Sequence, residues 1–297
     1  MLGGSTRPVA LVTGASRGIG KATALDLAAA GFDVAVAART SSDGAGRSDT
    51  DPSLVLPGGL DSTVAQIERE GGTGLAITMD LLDRTSVDNA VAATIEGFGR
   101  LDVLVNNAIY QGPGTLTRFA DLSDSELSAL FEGNVFAQLA LIRAALPHLH
   151  EGGTIVNLVS GAGYLQPPAK VGEGGWSLGY AMTKAAFGRV APVLHVEYAE
   201  RGLRVFSVDP GFTITERTVA AGRAAQYSRR YAPGTPDVIA RAIRWLATDG
   251  EADGLCGKVV MAQEQVRDRQ LLDRWPPPVS QDRPWETGAQ LGGSKER

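Results

Sequence analysis

Apolar and polar residues follow two alternating patterns along most of the chain. Short apolar runs that end abruptly in Gly, Asp, Asn or Ser predict buried strands, and segments that are rich in Ala and Leu or apolar on one face predict helices. Strands are predicted at residues 9–12, 33–38, 75–79, 101–105, 154–159, 203–208 and 258–261. Helices are predicted at residues 21–30, 60–71, 85–98, 123–148, 178–200, 213–231 and 236–247.

Continuous apolar strands separated by helices indicate a parallel sheet that is covered on both faces. We therefore predict an α/β fold: a doubly wound parallel sheet of the Rossmann type, with about seven strands, helices on both faces and a single domain. This domain is expected to cover residues 1–262, and residues 263–297 are expected to form an extended arm. Sheets of this kind bind ligands at the carboxyl ends of their strands, so functional residues are expected there.

Three glycines lie between the first predicted strand and the first predicted helix. Gly14, Gly18 and Gly20 have the spacing G-x-x-x-G-x-G. Glycine permits positive φ angles and lets a phosphate approach the backbone, and a helix N-terminus presents unpaired N–H groups to an anion. An ordinary strand-turn-helix connection could carry the same glycines. Their position at the strand end and helix start favours a site for the pyrophosphate of a dinucleotide.

A basic residue closes the second predicted strand, where a dinucleotide-binding fold places the adenosine ribose. An acid at this point suits a ribose 2′-hydroxyl, whereas Arg39 suits a 2′-phosphate, and Arg17 in the glycine turn is expected to reach the same phosphate. The alternative is that Arg39 is an ordinary surface arginine and the cofactor is NAD(H). We interpret Asp33, at the opposite end of the strand, as a loop residue. The pattern favours NADP(H) over NAD(H).

Three segments are predicted to be loops or lids. Residues 40–59 are polar and rich in Gly, Ser and Asp, which is typical of a mobile surface loop or a tolerated insertion. Residues 161–177 form a loop rich in Gly and Pro, and residues 213–231 form a lid helix. We expect the last two segments to border a substrate site, with Tyr164 and Trp176 as apolar walls.

Two reactive side chains lie one turn apart on the helix predicted at residues 178–200. Tyr180 and Lys184 have the spacing i, i+4 and therefore share a helix face. A neighbouring ammonium, together with the positive nicotinamide of an oxidised cofactor, would lower the pKa of the phenol and make it a usable proton donor and acceptor. Ser160, at the end of a predicted strand, could hydrogen-bond the same substrate oxygen. Alone, the pair could equally be a surface pair on an amphipathic helix.

Composition narrows the classes of partner. The chain has 297 residues, of which 43% are hydrophobic and 21% charged, and a net charge of −5, which disfavours nucleic acids and anionic membranes as partners. Its single cysteine, Cys256, permits no intramolecular disulfide, and no zinc-site spacing is present, so we expect no metal. Neither a secretion signal nor a membrane-spanning apolar run is apparent. We expect a cytoplasmic protein whose partner is a small molecule.

Several motifs occur together in one order. They are TGASRGIG at residues 13–20, NNA at 106–108, Asn134, Ser160, YAMTK at 180–184 and PGFTIT at 210–215. With these motifs, over residues 8 to about 262, the chain resembles the short-chain dehydrogenase/reductase family in its compact, single-domain form. The resemblance implies an NADP(H)-dependent oxidoreductase that interconverts a ketone or aldehyde and an alcohol by hydride transfer.

The resemblance also implies roles for individual residues. The catalytic set would be Asn134, Ser160, Tyr180 and Lys184. Tyr180 would act as general acid and base, Lys184 would also bind the nicotinamide ribose, and Asn134 would hold a water that links Lys184 to solvent. The cofactor would contact Gly14, Ser16, Arg17, Gly18, Ile19, Gly20, Arg39, Asp80, Leu81, Asn107, Ala108, Tyr180, Lys184, Pro210, Gly211, Thr213 and Thr215. Family members commonly pair the helices that here begin near residues 123 and 178, so a homodimer or homotetramer is expected.

The chain departs from the family pattern at three places. Ser160 and Tyr180 are 20 residues apart, which enlarges the loop between them. Ile109 stands where a glycine commonly follows NNA, and the last strand, at residues 258–263, lacks the usual Asp-Gly-Gly. A non-catalytic dinucleotide-binding regulator on the same fold is the alternative function, because a fold does not fix a function. The intact catalytic set argues against it.

Overall fold

Seven parallel strands form the central sheet of the protein. A computed structural model describes residues 5–222 and 233–273. The sheet strands are β1 (Val9–Thr13), β2 (Asp33–Ala38), β5 (Gly74–Thr78), β6 (Leu101–Asn106), β7 (Leu149–Leu158), β8 (Arg204–Asp209) and β9 (Val259–Met261), and a separate hairpin consists of β3 (Gly46–Arg47) and β4 (Val55–Leu56). The order across the sheet is β5-β2-β1-β6-β7-β8-β9. This confirms the predicted doubly wound parallel sheet.

Helices cover both faces of the sheet. They are α1 (Gly18–Ala29), α2 (Leu60–Arg69), α3 (Arg84–Phe98), α4 (Asp124–Phe131), α5 (Ala137–Ala145), α6 (Leu178–Gly188), α7 (Val190–Glu197), α8 (Glu216–Ala220), α9 (Pro236–Thr248) and α10 (Ala262–Asp268). Successive residues of a strand point to opposite faces, so Val12 packs with α1 and α9, and Leu11 packs with α3 and α5. The sheet is therefore buried between two apolar layers, as its uninterrupted hydrophobic strands predict.

Two predicted helices are interrupted. The helix predicted at 123–148 is α4, a π-helical turn (Glu132–Phe136) and α5. It ends before Pro147, because proline has no N–H with which to continue the helical hydrogen bonds. The helix predicted at 178–200 is divided into α6 and α7. Pro192 has no N–H to donate to the carbonyl of Gly188, which explains the break.

Asp33 is a strand residue, and its interpretation as a loop residue was wrong. It is the first residue of β2 and is buried. Its carboxylate accepts hydrogen bonds from Ser5 Oγ at 2.6 Å and from the Thr73 backbone N–H at 2.9 Å, and Arg7 lies 3.8 Å away. These three partners offset the cost of burying a charge. Asp33 therefore joins three segments at the amino edge of the sheet.

The segments predicted as loop, lid and arm also contain regular structure. Residues 40–59 include the β3–β4 hairpin. The predicted lid helix at 213–231 is the short helix α8, and residues 223–232 lie outside the described part of the chain. The predicted arm begins with α10, whose Val266 is buried against the core, so its first residues are helical and packed. Within residues 5–222 and 233–273, no helix has the length and apolar character needed to cross a bilayer.

Candidate active site

The glycine turn at the end of β1 has the geometry of an anion cradle. Gly14 and Gly18 have φ angles of +68° and +57°, which favour glycine. A Cβ atom at Gly20 would collide with the carbonyl oxygen of Gly14, and one at Gly14 would lie 2.7 Å from Asn107 Nδ2. Ser16 and Ile19 belong to the same turn and first helical turn. The segment therefore forms the tight strand-to-helix turn that the sequence predicts.

A carboxylate of the chain itself lies on this cradle. The Gly18 backbone N–H, at the start of α1, donates a hydrogen bond to Glu216 Oε2 at 2.9 Å. A Cβ at Gly18 would lie 3.3 Å from Thr215 Cγ2, so the start of α8 covers the turn. The N-terminus of α1 therefore accepts an anionic group, which is the chemistry that a pyrophosphate requires. Sequence reasoning identified Thr215 but missed Glu216.

The residues that follow β5 and β6 lie at the same edge of the sheet as the glycine turn. Asn107 Nδ2 donates to the carbonyl of Thr13 at 2.8 Å, and the backbone N–H groups of Asn107 and Ala108 both donate to Thr13 Oγ1 at 3.0 Å. The Asp80 carboxylate accepts from the Leu82 N–H at 2.9 Å. Leu81 is buried. Asn107 thus ties β6 to β1, and its side chain positions the backbone of the turn.

Three members of the predicted catalytic set meet at the end of β7. Ser160 lies next to the Tyr180 side chain, and Lys184 Nζ donates to the Leu158 carbonyl at 2.7 Å. Lys184 is buried, whereas Tyr180 is partly exposed. Ser177 caps α6 by accepting from the Tyr180 N–H at 3.2 Å, which fixes where this helix begins. The helix spacing therefore directs both side chains to the strand end that carries Ser160.

Burial is the largest cause of the pKa shifts of Tyr180 and Lys184. It lowers the pKa of Lys184 to about 8, and the nearby Asp209 carboxylate partly opposes this. Burial likewise raises the pKa of Tyr180, with a smaller lowering by the Ser160 hydrogen bond and a raising by Asp209. From the sequence, Lys184 and an oxidised nicotinamide were expected to lower the pKa of Tyr180. In the structure the Lys184 ammonium is directed to Leu158 O, and desolvation is the larger effect.

Asn134 lies in the π-helical turn and is buried. Its Oδ1 accepts from the Tyr110 N–H at 2.7 Å, and its Nδ2 donates to the Tyr110 carbonyl at 3.1 Å. Gln138, which sequence reasoning missed, donates to the Ala108 carbonyl at 2.9 Å. Both amides therefore hold the segment that follows β6, and π-helical turns often occur at functional sites. The water-holding role of Asn134 stays a prediction.

A second tyrosine and a buried acid lie beside Tyr180 and Lys184. Tyr164, in the 161–177 segment, donates a hydrogen bond from its hydroxyl to Asp209 Oδ2, and Asp209 Oδ1 accepts one from the Gly211 N–H at 2.8 Å. Burial and the carboxylate raise the pKa of Tyr164. Tyr164 was expected only as an apolar wall. Its polar end connects the loop to the end of β8.

The strand end that precedes α8 is fixed by a residue of α10. Gln263 Nε2 donates to the carbonyls of Pro210 and Phe212 at 2.8 and 3.2 Å. Gly211 has a φ of +63°, and Thr213 Oγ1 donates to Pro210 O at 3.3 Å. Thr213 is thus held near the carboxyl end of β8.

The two arginines predicted to bracket a phosphate contact the inserted hairpin. Arg17 Nε donates to the Pro57 carbonyl at 2.7 Å, and its Nη2 donates to the Gly58 carbonyl at 3.1 Å. Arg39 Nη1 forms an ion pair with Asp49 Oδ1 at 2.7 Å. Burial lowers the pKa of Arg17, and Arg39 lies close enough to lower it further. The two side chains therefore share a region, but each has a protein partner there.

Comparison with known proteins identifies the family. The family model described as short chain dehydrogenase matches residues 8–49 and 56–226. The chain belongs to the short-chain dehydrogenase/reductase family. It is an oxidoreductase of that family, and the unmatched residues 50–55 cover most of the hairpin turn and the first residue of β4.

Named relatives agree with this family membership. An uncharacterized oxidoreductase of Methylorubrum extorquens is 34% identical over 268 residues, which cover 87% of this chain and 97% of the relative. A 3-oxoacyl-[acyl-carrier-protein] reductase of Synechocystis is 34% identical over 257 residues, covering 85% and 94%. A short chain dehydrogenase from Burkholderia cenocepacia, crystallised in complex with NADP, is 32% identical with a TM-score of 0.69, covering 86% and 95%.

Proposed function

We propose that this short-chain dehydrogenase/reductase uses NADP(H) to interconvert a ketone or aldehyde and the corresponding alcohol. The observation that carries the proposal is the meeting of Ser160, Tyr180 and Lys184 at the carboxyl edge of the sheet. A bound reduced nicotinamide would supply the hydride for the carbonyl carbon. The protein then has to bind the substrate oxygen and deliver a proton to it.

Tyr180 and Ser160 have the groups for this task. The Tyr180 hydroxyl donates its proton to the carbonyl oxygen during reduction and takes it back during oxidation. The Ser160 hydroxyl donates a hydrogen bond to the same oxygen as negative charge develops there. Lys184 supplies a buried positive charge one helix turn from the phenol, which favours the phenolate when the proton has left.

Two features of the chain fit the cofactor. The glycine turn and the N-terminus of α1 accept an anionic oxygen, here that of Glu216, as they would a pyrophosphate oxygen. Arg39 offers a guanidinium at the end of β2 for a 2′-phosphate. The Burkholderia relative in complex with NADP supports this choice of cofactor.

Hydride transfer tests the proposed function. Purified protein is incubated with NADPH that carries deuterium on the nicotinamide and with a panel of ketones, aldehydes and 3-oxoacyl thioesters, the last because of the Synechocystis relative. We expect deuterium on the carbinol carbon of at least one product alcohol. Tight NADPH binding without transfer to any carbonyl would favour the non-catalytic alternative.

The proposal includes a homodimer or homotetramer. Several apolar side chains on the helices expected to pair are exposed to solvent in the single chain: Phe136, Leu178, Met182, Val193 and Val196. Apolar surface of this kind is stabilised by contact with a second copy. Light scattering at micromolar concentration is expected to give twice or four times the chain mass, and a monomer would contradict this part of the proposal.

A further inference from the structure

The β3–β4 hairpin brings an acid to the place where the sequence predicts only positive charge. Asp49 lies in the turn between β3 and β4, next to the residues that the family model leaves unmatched. Its Oδ1 lies 2.7 Å from Arg39 Nη1, and its side chain is only 12% exposed. Within the described part of the chain, its other oxygen, Oδ2, is buried and has no hydrogen-bond partner. Asp49 is thus a desolvated acceptor with one oxygen unused.

The hairpin that presents Asp49 is attached at several points. The two Arg17 hydrogen bonds to the 57–58 carbonyls hold its second strand, and Leu56 is buried below it. The Ser48 N–H donates to the Leu54 carbonyl at 3.1 Å, which closes the turn around Asp49. These contacts are made by backbone groups, by the half-buried Arg17 side chain and by the buried Leu56. The position of Asp49 therefore follows from the structure of the insertion.

A carboxylate and a phosphate compete for the same guanidinium. A 2′-phosphate that binds Arg39 has to displace Asp49 from Nη1 or lie beside its negative charge. A ribose 2′-hydroxyl carries no charge and requires neither.

We propose that Asp49 is a cofactor-specificity residue, which opposes the binding of the 2′-phosphate at Arg39 and so reduces the preference for NADPH over NADH. The inference rests on the proposed function in one respect, the binding of a nicotinamide dinucleotide at this edge. It adds a residue of the insertion to the determinants of specificity. Arg39 favours the phosphate, and Asp49 limits that preference.

The experiment compares dissociation constants of NADPH and NADH, measured by titration calorimetry, for the wild type and Asp49→Asn. We expect NADPH to bind about tenfold more tightly to the variant, which corresponds to about 1.4 kcal/mol, and NADH to change by less than about threefold. Asp51→Asn is the matched control. It removes the same charge from the same hairpin, but the Asp51 carboxylate bonds Ser53 instead of an arginine. We expect Asp51→Asn to leave both constants unchanged.

Variants that also carry Arg39→Ala test whether the effect of Asp49 on NADPH affinity depends on Arg39. In Arg39→Ala, the further change Asp49→Asn is expected to give little gain in NADPH affinity. An unchanged ratio of the two constants in Asp49→Asn, an equal gain in Asp51→Asn, or a full gain without Arg39 would each overturn the proposal.

The same titrations separate this inference from the proposed function. Tighter binding of NADH than NADPH to the wild type would refute the NADP(H) assignment, while the Asp49 proposal would stand if the ratio still shifts in Asp49→Asn. Binding of neither nucleotide to the wild type would overturn both.

Discussion

The proposed catalytic residues and the arginines proposed to bind the ribose phosphate lie along the same edge of the sheet, but different kinds of structure hold them. Ser160 and Lys184 belong to the end of β7 and to α6, elements of the central fold. Arg39 follows β2, and its partner Asp49 comes from an inserted hairpin. The first group is therefore held by elements of the central fold, whereas the second depends on a two-stranded hairpin outside the central sheet.

The two regions also differ in their exposure to solvent. Lys184 is 8% exposed, so burial shifts its pKa strongly. The Arg39 side chain is 45% exposed, so water and salt screen its interactions. Changes at Tyr180 and Lys184 should therefore have large effects on catalysis and stability. Charge changes at Arg39 should have modest effects on cofactor binding. Four predictions test this difference, beginning with the largest effect.

Replacing the proton donor is expected to have the largest effect. Tyr180→Phe should lower kcat about a thousandfold, or about 4 kcal/mol, because it removes the general acid and little binding surface. The NADPH dissociation constant should stay within about twofold of the wild-type value. Steady-state kinetics and calorimetry measure the two quantities. Tyr198→Phe, at the opposite edge of the sheet, is the control, and a Tyr180→Phe enzyme that retained a tenth of wild-type kcat would contradict the proposed role.

The buried lysine should make stability depend on pH. Because burial lowers the pKa of Lys184 from 10.5 to about 8, the unfolded chain binds more protons between these two pH values. The buried charge therefore destabilises the folded state below pH 8, and the penalty disappears as the pH rises to 10.5. Relative to Lys184→Met, the wild type should gain about 3 kcal/mol of unfolding free energy over this range.

Urea unfolding at about pH 7.5 and about pH 10.5 measures this difference. The exposed Lys258 provides the control, since Lys258→Met removes a lysine that stays solvated. If the unfolding free energies of the wild type and Lys184→Met depended on pH in the same way, Lys184 would not be a buried charge.

At the ribose end the expected loss is smaller. Arg39→Ala should weaken NADPH binding about tenfold, or about 1.4 kcal/mol, and leave NADH binding unchanged, because only the 2′-phosphate uses the guanidinium. The control Arg69→Ala removes the same charge at the far end of α2. Equal losses for the two cofactors would show that Arg39 does not recognise the phosphate.

The loop contact near the catalytic end gives the smallest predicted change. Tyr164→Phe removes the hydrogen bond to Asp209 and should raise KM about fivefold, or about 1 kcal/mol, with little change in kcat. Hydrogen exchange in residues 161–177 should become faster, because the loop loses a polar attachment. Unchanged KM and unchanged exchange would mean that this contact does not position the loop.

Much of this protein follows from its local sequence. The apolar runs are long enough for strands and end in polar residues, which predicts a parallel sheet with its functional residues at one edge. The spacing of Tyr180 and Lys184 places them on one helix face, and the glycines define a turn that other residues could not form. These features depend on backbone geometry over a few residues, so periodicity and residue type are enough to predict them.

Contacts between distant residues required the tertiary structure. Glu216 meets Gly18, Asp49 meets Arg39, and Tyr164 meets Asp209, and in each case no local pattern indicates the partner. The hydrophobic pattern determines which side of an element is buried, but it does not determine which polar side chains meet across the sheet edge. That depends on how the connections pack on one another. The sequence by itself thus determined the sheet and the candidate catalytic residues, and only the tertiary structure decided which charges surround them.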